Sequence, residues 1–116
     1  MMEIGPRAFG ALQQESERAF VVKLGTVLRT EVPSLAHEPE PEFSRQVESI
    51  IRRARNFGLE SEQSIGAYAM TAGMLGLDFP DHFAGARQIL ESSQDEDSKA
   101  ELLEHFTLAV FEALER

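Results

Sequence analysis

Apolar residues recur along this chain at intervals of three and four, and no stretch alternates with period two for long enough to make a strand. After Gly5 and Pro6, the residues Phe9, Leu12, Phe20, Leu24, Val27 and Leu28 share one helical face. Pro6 suits a first helical turn, where its missing N–H matters least. Gly10 leaves open whether the segment is one helix or two, and Val32-Pro33 should end it, because a residue before proline disfavours helical geometry. From Pro33 to Glu42 three prolines and the carboxylates of Glu38, Glu40 and Glu42 predict a solvated connector.

Pro41 can open a second helix, with Glu40 and Glu42 at the positive end of its dipole. Phe43, Val47, Ile50, Ile51, Ala54 and Phe57 form its apolar stripe, and Gly58 follows as a left-handed terminator. Arg52, Arg53 and Arg55 fall in its last turn, where cations complement the dipole. Ser61 can cap a third helix running to about Leu75, just before Gly76. This helix contains Gly66 and Gly73, each costing about 1 kcal/mol relative to alanine. It is also apolar on several sides, the mark of a buried helix. The glycines are therefore expected to admit a close neighbour in a bundle.

In "GLDFPDHF" Leu77 and Phe79 are expected to anchor a tight connector, and Asp78 or Asp81 to cap a short fourth helix through Ile89-Leu90. The stretch "ESSQDEDSKAE" interrupts the pattern. Leu102, Leu103, Phe106, Ala109, Val110, Ala113 and Leu114 then make a broad stripe on a last helix. The expected fold is all-α: a compact bundle of about five helices, with residues 1–116 forming a single helical domain.

Charge narrows the range of partners. The formal net charge is −9, and from Asp78 onward ten acidic residues face three basic ones. Such a surface repels phosphate backbones, so no nucleic acid is expected as a partner, whereas a basic protein would be steered toward it. No apolar run approaches the roughly 18 residues of a membrane span, so no membrane partner is expected. The start "MMEIGPRAFG" lacks a basic n-region and a continuous apolar segment, which argues against a signal peptide. The absence of cysteine excludes disulfides and thiolate metal sites and fits a reducing compartment. A cytoplasmic location is expected.

The chain offers little chemistry. His37, His82 and His105 stand on separate elements, without a metal-binding spacing. Asp78, Asp81 and His82, grouped around Pro80, are the nearest approach to a site, and a small metal-dependent hydrolase is the one enzymatic reading they allow. Asp95, Glu96 and Asp97 lack the glycine and distant glutamate of a calcium loop. No catalytic, cofactor or metal site is assigned, and the protein is expected not to be an enzyme.

Ala54, Arg55, Phe57 and Gly58, followed by a helix of roughly fifteen residues and then Leu75, Gly76, Asp78 and Phe79, form a recognisable layout. It resembles small helical bacterial proteins encoded beside type VI secretion effectors and their spike components. The chain departs from that pattern at Gly66 and Gly73, where the resemblance leads one to expect larger residues. The resemblance implies a non-enzymatic accessory protein, either an adaptor or chaperone that holds an effector, or an immunity protein that neutralises a toxin. The expected binding face joins Tyr68, Met74, Phe79 and His82, aided by the acidic residues Asp95, Glu96, Asp97, Glu101 and Glu104. The small-residue face of the third helix also makes a homodimer an open alternative.

Overall fold

The computed structural model describes the backbone of residues 6–115 and the side chains of residues 16–115. Its elements are α1 (Pro6–Glu31), a 3₁₀ turn (Pro33–Leu35), α2 (Glu42–Asn56), α3 (Glu62–Leu75), α4 (Phe79–His82), α5 (Ala84–Glu91) and α6 (Glu96–Leu114). The fold is all-α, with no strand among the described residues. α1 is one continuous helix. The short fourth helix expected between Asp78 and Leu90 is instead two, α4 and α5, broken at Phe83 by its extended backbone (φ −124°, ψ 97°). Neither aspartate caps it. Asp78 makes no capping bond and accepts from Arg53 at 2.9 Å, while Asp81 pairs with Arg87.

α3 is the central helix, packing on α6, α2 and α1. Three helices run in the same direction. Lys23 reaches Glu62 near the start of α3 while Val32 meets Gly73 near its end. Likewise, Glu96 bonds to Ser61 at the head of α3 and Thr107 touches Thr71 three turns further on. α2 runs against α1, with Arg55 on Glu17 and Phe43 against Gly25. Leu24, Leu28, Val47, Ile50, Ile65, Ala69, Leu90 and Leu103 are among the side chains that fill the core.

The glycines of α3 divide. Gly73 does admit a neighbour, since a Cβ there would sit 3.0 Å from Val32. Gly66 does not: a Cβ there would meet nothing within 4 Å, so the close-packing expectation fails at that position. Gly58 and Gly76 serve the backbone, terminating α2 and α3 at φ 86° and 110°, where a side chain would be strained. The 33–42 connector is also less loose than expected. Arg29 donates to the carbonyls of Ala36 (3.0 Å) and Glu38 (2.7 Å) and lies 4.0 Å above the Phe43 ring.

The first turn of α6 clips the bundle together. Lys99, buried, donates from Nζ to the Phe57 carbonyl (3.0 Å) at the end of α2. One turn earlier, the Glu96 carboxylate accepts from the backbone N–H groups of Glu60 and Ser61, each at 3.1 Å, at the head of α3. A cation thus meets a helix C-terminus and an anion a helix N-terminus, the two favourable pairings with the helix dipole. Hydrogen bonds, foremost from Ser61, hold the Glu96 carboxyl below its ordinary 4.5. A depressed carboxyl stabilises the fold above its unfolded value and loses that contribution as pH falls through the lower folded one. Glu96→Gln should therefore melt below the wild type at pH 7, and the gap should close as pH drops below about 4.5. A gap of constant size across that window would show that the carboxylate charge has no part in the clip.

α6 is rotated from the face its sequence stripe predicts. The residues it buries are Lys99, Ala100, Leu103 and Thr107. Of the predicted stripe only Leu103 is fully buried, Phe106 and Val110 are half-buried, and Leu102, Ala109, Ala113 and Leu114 are exposed.

Candidate functional site

Two of the expected anchors are core residues. Phe79 is 0% exposed and Tyr68 1%, their rings 4.9 Å apart between centroids, so neither presents a surface to a partner. Their aromatic character marks bulk that fills the space where α2, α3 and α4 meet. Burial pushes the Tyr68 hydroxyl up to about 12, keeping it neutral, and among the described residues no group accepts its hydrogen bond. It lies beside a pocket of about 230 Å³ whose rim carries Arg53, Asp81 and Arg87. Removing an unpartnered buried hydroxyl relieves a desolvation cost. Tyr68→Phe should thus leave stability unchanged or raise it by up to about 1 kcal/mol. A loss of that size in denaturant unfolding would contradict the reading.

Asp78, Asp81 and His82 form no metal-ligand cluster; among the described residues no three His, Asp or Glu side chains come together in that way. Each aspartate is engaged by a different arginine, Arg53 or Arg87. His82 is exposed on α4 and contributes no lining to the surface on which Met74 lies.

The acidic set also divides. Asp95 caps α6 by accepting from the Ser98 N–H (2.8 Å), and that bond holds its carboxyl below its ordinary range. Glu96 is half-buried and bonded at the head of α3, whereas Asp95 stays exposed while it caps α6. Asp97, Glu101 and Glu104 are exposed on the outer side of α6.

One surface brings expected and unexpected residues together. Between α3 and α6 runs a groove of about 340 Å³ walled by Met70 and Met74 on one side and Glu104 and Leu108 on the other, with Thr71 and Thr107 between. The two threonine hydroxyls lie 3.0 Å apart, and each also approaches the carbonyl four residues earlier in its own helix. Two protons serve three contacts, and the pair is buried at the floor of the groove. Leu108 is 65% exposed and Leu114 73%, with Phe111 between them along α6. Leu108 is bare because it faces away from the side of α6 that Leu103 buries, and the other two are bare because α6 has 19 residues and α3 only 14. The parallel pairing sets Thr71 beside Thr107, so Phe111 and Leu114 lie level with or past the end of α3.

Among the described residues of α3 and α6 around this apolar strip, the exposed charge has one sign. Asp97, Glu101, Glu104, Glu112 and Glu115 are exposed and, with Leu108, follow one another at three- and four-residue intervals along α6. The one lysine of that helix is buried, and α3 has no charged side chain after Glu62. Sequence reasoning found Met74, Glu101 and Glu104, but missed Met70, Leu108 and Phe111. The available signal was the pair Met70 and Met74, spaced by one turn on the side of α3 that Gly66 leaves open.

Comparison with protein-family models, with curated proteins and with solved structures gives no match. No described helix is long and apolar enough to cross a membrane.

Proposed function

We propose that this chain works by binding another protein, as an adaptor or chaperone that holds an effector of a bacterial toxin-delivery system of the type VI kind. The observation that carries the binding role is the apolar groove between α3 and α6, continued by exposed Phe111 and Leu114. Contiguous apolar surface of this kind marks interaction sites on soluble proteins. What supports the wider setting is the resemblance carried by Ala54, Arg55, Phe57 and Gly58 with Leu75, Gly76, Asp78 and Phe79. Phe57 and Phe79 pack on either side of Tyr68, so the motif supports a shared scaffold and leaves the partner to the exposed surface.

The test is co-expression of the chain with each product of its neighbouring genes, followed by pull-down and size-exclusion chromatography. A stable complex, lost on Leu108→Asp in a protein that still melts normally, supports the proposal. An active partner within the complex fits a chaperone, and a silenced toxin makes the chain an immunity protein instead. Absence of any complex across those products would remove the reading.

A further inference from the structure

We infer that the α3–α6 groove receives an amphipathic helix from the partner, of about three turns, with an apolar stripe and a basic flank lying over α6. The inference rests on the protein-binding reading and adds the shape, charge and placement of what is bound.

The walls of the groove are unequal. The α3 wall is methionine and small side chains, Met70, Met74 and Ala67, with no charge between Glu62 and Leu75. The α6 wall carries Leu108 and Glu104, backed by Glu101 and Glu112 on the same flank. An occupant whose apolar stripe enters the groove therefore meets neutral surface on one side and a row of carboxylates on the other. Lysine or arginine on the α6 side completes that pattern, and the same residues on the α3 side find no counterpart. Methionine walls suit such an occupant, because their unbranched side chains adapt to the knobs of an incoming helix.

The length follows from the bare part of α6. From Glu104 to Leu114 the helix covers about 15 Å at 1.5 Å per residue, nearly three turns. Over that stretch Leu108, Phe111 and Leu114 offer successive apolar positions. A second copy of this chain is a poor occupant in the symmetric arrangement, since groove against groove would set Glu101, Glu104 and Glu112 against their own copies. Like charges brought together in this way oppose association.

The experiment uses the full chain and two synthetic amphipathic helices of about 15 residues with the same leucine stripe, one flanked by lysine and one by glutamate. Fluorescence anisotropy should show the lysine peptide binding at least about tenfold more tightly, with the preference shrinking as salt rises. Leu108→Asp should weaken that binding by about tenfold or more, and the 65% exposure of Leu108 leaves the fold out of the change. Glu101→Lys with Glu104→Lys and Glu112→Lys should turn the preference toward the glutamate peptide. This gain of binding cannot come from unfolding.

Equal affinity for the two peptides, no binding of either, or binding indifferent to Leu108→Asp would overturn the inference. So would a dimer in sedimentation that Leu108→Asp dissolves. The two proposals fail separately. A neighbouring-gene partner that co-purifies equally well with Leu108→Asp leaves the binding role standing and sinks the groove. Lysine-peptide binding without any such partner leaves the groove standing and sinks the assignment to toxin delivery.

Discussion

Phe79→Ala should destabilise the protein by about 3–5 kcal/mol, the range for deleting a fully buried aromatic ring. Domains of this size are held by about 5–15 kcal/mol in total, so the variant should melt far below the wild type or fail to fold at 37 °C. The reason is position. Phe79 opens α4 with 0% exposure and packs on Tyr68, which in turn touches Phe57 from the end of α2. The ring thus supports the place where the α3–α4 connector returns to the bundle. Its neighbour Asp78 fixes the same connector from outside by accepting from Arg53. Denaturant unfolding decides the matter. A surface anchor would lose binding while changing stability by less than about 0.5 kcal/mol. An effect that small at Phe79 would restore it to the surface and undo the arrangement of α4.

Leu103→Ala should cost about 2–5 kcal/mol, while Leu108→Ala and Leu114→Ala should each stay within about 0.5 kcal/mol of the wild type. The contrast tests the rotation of α6 about its own axis. Leu103 is 0% exposed in the interface with α3, the most extensive helix pair in the fold. Leu108 belongs to the same apolar run of sequence but faces away from Leu103 around the helix, whereas Leu114, eleven residues on and so on nearly the same face as Leu103, is bare because α3 has ended. Similar losses at all three positions would mean that α6 is turned otherwise and that no groove lies between it and α3.

Several elements could be read directly from the chain because their signals act within a turn or two of backbone. Ser61 caps α3 by accepting from the Ser64 N–H, and α3 ends at Leu75 where Gly76 takes up a positive φ. Gly58 closes α2 in the same manner, and the stripe from Phe43 to Ala54 is buried as its spacing requires. Each of these depends on side chains and dihedrals only a few residues apart, so the one-dimensional pattern contains the cause.

The site was legible only in pieces. Met74, Glu101 and Glu104 stood out as exposed candidates, but Tyr68 and Phe79 looked the same in sequence and are core. A large aromatic residue is equally at home in a core and in an interface, and which it joins depends on what covers it. In the sequence Glu96 has the look of a steering charge beside Asp95 and Asp97. Its bonds to Glu60 and Ser61 span more than thirty residues, and nothing near it in the chain announces them.

The sequence by itself determined an all-α chain, the limits of α2 and α3, their caps and terminators, and an acidic last third. Only the tertiary structure decided that α3 and α6 lie parallel with their heads joined by Glu96, and that α6 buries Thr107 and Lys99 while leaving Leu108 bare. The physical reason is that helix formation is governed by neighbours along the chain, whereas burial is governed by neighbours in space. Here the decisive neighbour is α3: where it lies alongside α6 the two helices make the groove, and past its end at Leu75 it leaves Leu114 uncovered.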